Sequence, residues 1–299
     1  MDVVLLHNAK AGDESWSRGD LLKLVRRAGF EPRYFQLQRA LDDPKLLEKG
    51  EFVIVAGGDG AIRKTALALI GRDRPLAALP LGTANNIVRS FELPLRPEEI
   101  IDGWRKPRRR PFDVGVIAGP WGKRHFIEGV GVGLISRSIA VLEEIDEEAV
   151  YELKKSKHKL HRDICVTAAL AREMRALPAQ VSFDDRVHAG EFLLLEVLNI
   201  RRAGPGVELA PRADPSDGRF DIVSATAAQR PSLLRTLKAR LKDKKGVSSM
   251  TTRRASRVQL AIHADCEMRI DDGTISVEAD TQVEITLKAG ALEFLLPGK

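Results

Sequence analysis

The chain has 299 residues, 43% hydrophobic and 30% charged, an ordinary globular composition with room for two domains. Aromatics make up only 5%, and none interleave with the basic clusters that carry the net charge of +6, which argues against a base-stacking nucleic-acid surface. No apolar run reaches membrane-spanning length and Met1-Asp2 lacks a basic leader region, so a cytoplasmic enzyme is expected. Cys165 and Cys266 lie far apart with no zinc-like spacing, and both are expected to be reduced.

Val3 to Leu6 is the first predicted strand, and His7-Asn-Ala-Lys-Ala-Gly12 is its turn. Lys10 there can serve as a phosphate counter-charge. Ser15 to Phe30 follows as an amphipathic helix, with Leu21, Leu22, Leu24, Val25 and Ala28 on or near one face. Residues 52–56 are apolar without interruption, as in a buried parallel strand, and run into Gly57-Gly-Asp-Gly60. Ala61 to Leu69 is then a helix with Ile62, Ala66 and Leu69 on its buried face. Glycines between a strand and a helix N-terminus let backbone N–H groups approach phosphate oxygens. Asp59 would repel phosphate directly, so its natural role is toward a cation, water or a reacting hydroxyl. A plain strand–helix turn explains these four residues about equally well.

A third unit tips the balance. Leu76 to Leu79 is another apolar strand, followed by Pro80-Leu-Gly-Thr-Ala-Asn-Asn-Ile-Val-Arg89 and a helical stretch through Phe91. Thr83 can cap that helix and offer its hydroxyl to a phosphate or ribose. Three strand–turn–helix units in ninety residues place three loops along one sheet edge, where open α/β sheets bind ligands.

Trp104-Arg-Lys-Pro-Arg-Arg-Arg-Pro111 reads as a linker or exposed crossover. Strand-like segments follow at Phe112–Ala118, His125–Val132, Val181–Asp184, Phe192–Ile200 and Phe220–Ser224, with helical patterns at 134–153 and 160–176. From Arg257 to Pro297 the pattern is of hairpins: Val258–Ile262, Glu267–Ile270, Thr274–Glu278, Gln282–Leu287 and Leu292–Leu296. Basic clusters occur at Arg105–Arg110, at Lys154, Lys155, Lys157 and Lys159, and from Arg235 to Lys245. The last lies on a helix after Pro231 with Leu233, Leu234, Leu237 and Leu241 as its apolar stripe. Such a helix can lie on an anionic membrane, but a helix packed on the core with a solvated basic face is the favoured reading.

In this order the motifs resemble the diacylglycerol kinase catalytic domain family of bacterial lipid kinases and sphingosine kinases. Asn8-Ala-Lys-Ala-Gly12 resembles the family's Asn-Pro-x-Ser/Ala-Gly loop, Gly57-Gly-Asp-Gly60 its signature, and Pro80 to Arg89 its Pro-x-Gly-Thr-x-Asn-Asp-Phe-Ala-Arg segment. Gly129-Val-Gly-Val-Gly133, Asn199, Gly204-Pro-Gly206, Pro211-Arg-Ala213, Asp217-Gly218 and Gly290 to Pro297 follow the family's order through the rest of the chain. The resemblance implies transfer of the ATP γ-phosphoryl group to a lipid hydroxyl with Mg²⁺ assistance. It implies ATP contacts from Asn8, Lys10, Gly12, Gly57, Gly58, Asp59, Gly60, Ala61, Ile62, Arg63, Thr83 and Asn85. It also implies a magnesium ion at Asp217 with the backbone carbonyls of Asp214 and Arg219. Taken alone, Asp217-Gly218 would read as an ordinary hairpin turn.

The chain departs from the family pattern at several positions. Ala61 and Lys64 stand where a Thr and a Glu are usual, and Asn86 replaces the Asp of the third loop. The Asp-Gly-Glu expected to supply the general base has no clean counterpart. Ile270-Asp-Asp-Gly-Thr274 keeps the turn and points to Asp272; Val277-Glu-Ala-Asp280 keeps an acid, Asp280. Both stand beside Asp59 as catalytic candidates. The expected fold is α/β plus β: a Rossmann-like α/β nucleotide-binding domain at 1–111, then a mostly antiparallel β-sandwich domain at 112–299, its final segment free to pack back on the first. The cleft between them is the expected ligand site. The function expected is an ATP-dependent lipid kinase with a lipid substrate and peripheral contact with an anionic membrane. The rivals are a degenerate member that binds nucleotide or lipid without catalysis, and a soluble-substrate kinase such as an NAD kinase.

Overall fold

Apolar runs set the strands of the first hundred residues. In the computed structural model, which describes residues 1–9, 11, 16–145, 156–242 and 250–298, β1 (Asp2–His7) is buried from its second residue onward. Lys10, Gly12, Ser15, Lys154, Lys155, Lys244 and Lys245 lie outside those residues, as does the side chain of Lys157. The helix expected from Ser15 is α1 (Arg18–Arg27), started by a capping box. The Ser17 hydroxyl accepts from the Asp20 N–H at 3.1 Å, and the Asp20 carboxylate accepts from the Ser17 N–H at 3.4 Å.

β2 (Glu31–Gln36) has no counterpart in the sequence pattern, because an edge strand carrying Pro32 shows no continuous apolar run. It pairs in parallel with β1. α2 (Leu37–Asp42), β3 (Val53–Gly57), α3 (Asp59–Leu69), β4 (Leu76–Pro80), α4 (Asn86–Ser90) and α5 (Pro97–Asp102) complete the alternation. β1, β3 and β4 are parallel neighbours in that order. Residues 104–111 are the exposed crossover of the two expectations, with Arg105 to Arg109 exposed and the segment inside the first unit, not a linker. Trp104 is 2% exposed and meets the Phe52 ring edge-on, and Arg108 already belongs to β5 (Arg108–Gly119).

The chain divides into two units, Met1–Asp113 with Ala289–Lys299, and Val114–Lys288. The second continues with β6 (Gly122–Phe126), β7 (Gly129–Gly133), α6 (Leu134–Glu144), α7 (Ser156–Glu173), β8 (Leu177–Phe183), β9 (Arg186–Phe192), β10 (Leu194–Leu198), the short pair β11 (Arg202–Ala203) and β12 (Val207–Glu208), and β13 (Phe220–Ala225). Then come α8 (Arg230–Leu241), β14 (Thr251–Ala255), β15 (Arg257–Ile262), β16 (Cys266–Ile270), β17 (Gly273–Val277) and β18 (Thr281–Leu296). One antiparallel sheet runs β14-β13-β10-β7-β16-β17; the other places β18, β15, β8 and β9 side by side. Val130, Val132, Leu195, Phe220 and Met268 of the first interleave with Val181, Val258, Leu260 and Ile285 of the second in one core. The opposite face of the first sheet is covered by α6, α7 and α8 through Leu134, Ile164, Leu233 and Leu237. The apolar stripe of α8 is thus core, in agreement with the favoured reading.

Four expected strands are drawn differently. The run 125–132 is two strands, β6 and β7, because the intervening backbone N–H groups are taken by a carboxylate described below. The run 192–200 divides between the end of β9 and β10. The last two expected strands are one, β18. Lys288-Ala-Gly-Ala has turn-like composition, yet only Gly290 leaves extended geometry, at φ +57. Its N–H donates to the buried Asp113 carboxylate at 2.7 Å, and the strand continues to pair in parallel with β4.

The glycines of β7 have a packing cause. Gly131 sits in register between Glu196 on β10 and Arg269 on β16. Those two side chains are fully buried and meet across it, Arg269 Nη2 and Nε donating to Glu196 Oε2 at 2.7 and 3.2 Å. Burial pushes the Glu196 carboxyl up, against the pull of Arg269. A Cβ at Gly131 would lie 2.4 Å from the Glu196 carboxyl carbon. Gly131→Ala is therefore expected to break the pair and cost about 3–5 kcal/mol in chemical denaturation, whereas a Gly190→Ala control should cost little.

Candidate functional site

In the first unit three loops meet at the carboxyl ends of β1, β3 and β4. Gly58 caps α3 in extended geometry. The Gly57 carbonyl accepts from the Leu81 N–H at 2.9 Å, and the Asn8 N–H donates to the Ala56 carbonyl at 3.0 Å. Gly58 and Gly82 touch through their backbones: a Cβ on Gly82 would lie 2.4 Å from the Gly58 Cα. Asn85 takes left-handed geometry at φ +51 and brackets Gly82, accepting from its N–H at 3.1 Å and donating to its carbonyl at 2.7 Å.

Asp59 ties two loops together. Its Oδ1 accepts from the Ile87 N–H at 3.1 Å, satisfying a donor in the first turn of α4. The cap expected of Thr83 is therefore made otherwise: Asn85 is the N-cap residue and Asp59, from another loop, supplies the oxygen. Thr83 is left half-exposed at the loop's tip, with Arg63 half-buried one turn into α3. Ala61 and Ile62 turn into the core, and both of their N–H groups point to the Gly58 carbonyl.

His7 is absent from the sequence-based candidates, yet it ends β1 beside these loops and is only 5% exposed. Its Nδ1 lies 3.1 Å from the Tyr34 hydroxyl, and burial lowers its pKa. The Arg18 guanidinium covers the Tyr34 ring at 4.7 Å. A polar residue closing an apolar strand is the only sequence signal for it.

In the second unit the two candidate bases are not brought together. Asp272 is exposed in the turn between β16 and β17, and Asp280 is exposed in the turn between β17 and β18, at the other end of β17. The Asp280 carboxylate lies 2.9 Å from His263 Nδ1. The buried residue is Asp271, at φ +56. Its Oδ1 accepts from the N–H groups of Ile127, Glu128 and Gly129 at 3.1, 2.8 and 3.3 Å, and its carbonyl accepts from Arg269 at 2.6 Å. That carboxylate is what separates β6 from β7.

At the turn for which the resemblance implies magnesium, Asp214 Oδ1 accepts from the N–H and hydroxyl of Ser216 at 3.0 and 2.6 Å. The Asp214 carbonyl accepts from the Asp217 N–H at 3.3 Å. Asp217 Oδ1 accepts from the Arg219 N–H at 3.0 Å, and Oδ2 is paired with Arg254. The Asp217 carboxylate is thus already paired with a permanent cation, Arg254, and no group of three His, Cys, Asp or Glu side chains occurs beside it among the described residues. Asp221 lies behind this turn, 1% exposed, with its carboxyl pushed up to about 6 by burial, Arg254 opposing and Asp217 adding to the shift.

A family model described as the diacylglycerol kinase catalytic domain matches residues 2–117, and one described as the YegS C-terminal NAD kinase beta sandwich-like domain matches residues 143–295. The chain belongs to the diacylglycerol kinase family. A Pseudomonas fluorescens protein named "Probable lipid kinase YegS-like" is 29% identical over 99% of this chain and 95% of its own length. A Mycobacterium tuberculosis protein named "Diacylglycerol kinase" is 27% identical over 82% of this chain and 76% of its own. The crystal structure of a Bacillus anthracis diacylglycerol kinase superposes with a TM-score of 0.69 at 19% identity, covering 99% of this chain and 96% of that one. The family thus carries the expected order of a parallel α/β half and an antiparallel β-sandwich, and its named relatives are lipid kinases.

Asp221 gives this family member a measurable pH signature. Its folded value of about 6 lies above the ordinary 3.8, so its contribution to stability is complete below about pH 4 and is lost as pH rises through 6. Relative to the native chain, Asp221→Asn should gain up to about 3 kcal/mol in denaturant titrations between pH 4 and 7.5. A pH-independent difference would contradict the assignment.

Proposed function

We propose that the protein is an ATP-dependent lipid kinase that transfers the γ-phosphoryl group to a lipid hydroxyl, with ATP held by the first unit and lipid by the second. The observation that carries this reading is the backbone contact of Gly58 with Gly82, locked by Asp59 at the start of α4. A side chain at Gly82 would hold the two loops apart, and such bare backbone at strand ends suits a polyphosphate. Asn8 lies beside Gly57 and Asn85 brackets Gly82, with Thr83 on the same loop and Arg63 one turn into α3 as further contacts to the phosphates. A divalent ion arriving with ATP would supply charge neutralisation. The chain's own part is to bind and orient the phosphates, with a carboxylate of the second unit, Asp272 or Asp280, receiving the hydroxyl proton.

The second reading, nucleotide binding without transfer, is favoured by one observation. Asp280 stands exposed beside His263, and Asp272 is exposed while its neighbour Asp271 is locked to three N–H groups. Labelled ATP with diacylglycerol, a sphingoid base and phosphatidylglycerol separates the two readings. Asp59→Asn keeps an acceptor for the Ile87 N–H, so it should fold and melt like the native chain while transfer falls roughly a hundredfold or more. Asp59→Ala should lose transfer and also about 1 kcal/mol of stability. Full transfer by either variant, or none by the native chain to any lipid, would sink the kinase reading.

Peripheral contact with an anionic membrane is part of the same proposal. No described helix is long and apolar enough to cross a membrane. α8 buries Leu233 and Leu237 and leaves Arg235, Lys238 and Lys242 exposed, spaced three and four residues apart on one face. At about 1 kcal/mol per charge near an anionic surface, replacing all three by Ala should lower affinity for phosphatidylglycerol vesicles roughly a hundredfold and leave neutral vesicles unaffected. An unchanged vesicle affinity would remove α8 from the contact.

A further inference from the structure

The turn at Asp214–Arg219 is a short loop closed by its own carboxylates. The Asp214 carbonyl takes the Asp217 N–H, and the Asp217 carboxylate takes the Arg219 N–H on one oxygen and the Arg254 guanidinium on the other, so the carboxylate that the family resemblance implies for a cation already faces one. Arg254 lies on β14 directly opposite Asp221 on β13, so strand register delivers its guanidinium to this spot. Its Nη2 pairs with Asp217, and its Nε stands 3.9 Å from Asp221 Oδ2, a buried oxygen with no hydrogen-bond partner in the structure. One guanidinium thus faces two carboxylates, one of the loop and one of the sheet beneath it. That is the electrostatic position a divalent ion would occupy between two acidic groups.

We infer that Arg254 is the resident cation of this turn, so the Asp214–Arg219 loop keeps its conformation without a divalent metal. A planar guanidinium can reach both carboxylates at once and is permanently charged, which a hydrated Mg²⁺ at a single carboxylate is not matched to displace. The inference is independent of phosphoryl transfer, because it concerns the fold of the loop and not the reaction.

Thermal melting of the full chain without nucleotide, in EDTA and in millimolar MgCl₂, tests it. The native chain should melt at the same temperature in both. Arg254→Ala should melt several degrees lower in EDTA and recover part of the loss in MgCl₂, since two uncompensated carboxylates then face each other. That recovery should vanish when Asp217→Asn is added. Should Arg254→Ala fail to fold, Arg254→Lys, which keeps the charge, should fold and remain indifferent to MgCl₂. A native chain stabilised by MgCl₂ in a way that Asp217→Asn abolishes would overturn the inference. So would an Arg254→Ala chain that melts like the native one, or one that is weakened and gains nothing from MgCl₂.

Discussion

Backbone-to-backbone contact between Gly58 and Gly82 is the constraint on which the nucleotide half depends. It sets the distance between the loops that follow β3 and β4; a side chain at Gly82 would collide with the Gly58 Cα, and one at Gly58 would press tightly on Gly82. Asp59 then fixes their relative orientation by holding the Ile87 N–H at the start of α4, so a five-residue helix too short to be stable alone is anchored from outside. The same carboxylate that chemistry would assign to a cation or hydroxyl is thereby also a structural cap.

The β-rich half solves a similar packing problem with charge. Glu196 and Arg269 lie on the two strands that flank β7 and meet only because Gly131 between them has no side chain. Arg269 also binds the Asp271 carbonyl, and the Asp271 carboxylate gathers the N–H groups of Ile127, Glu128 and Gly129. A buried ion pair of this sort adds little net stability over apolar packing, but leaving either partner alone is costly. Its consequence here is geometric: the turn that presents Asp272 is held from beneath by a chain of hydrogen bonds running through the sheet.

Charge is also placed outside that network. Lys64 is exposed one turn into α3, Ala61 is buried beneath it, and Arg254 pairs with Asp217 at the acidic turn. The basic face of α8 lies on a helix whose apolar side is fully used by the core, so its charges are available to solvent or to a surface without any loss of packing.

Much of this was legible in order along the chain. Apolar runs ending in Gly57 and Leu79 announced parallel strands, and period and composition announced the change from α/β to antiparallel β, because both are local consequences of burial and backbone freedom. β2 was silent because an edge strand buries too little to leave a run, and β18 reads as two strands because Gly290 and its neighbours have the composition of a turn. Asp271 and Arg254 carried no signal, and His7 only that of a polar residue closing an apolar strand, since what matters about each is a partner remote in sequence. The amino-acid sequence by itself determined the two architectures, the glycine loops and the family. Tertiary structure alone decided that Asp59 caps α4, that Asp271 and not Asp272 is locked, and that Arg254 answers Asp217. Those outcomes rest on strand order and register, which bring together residues that no local pattern relates.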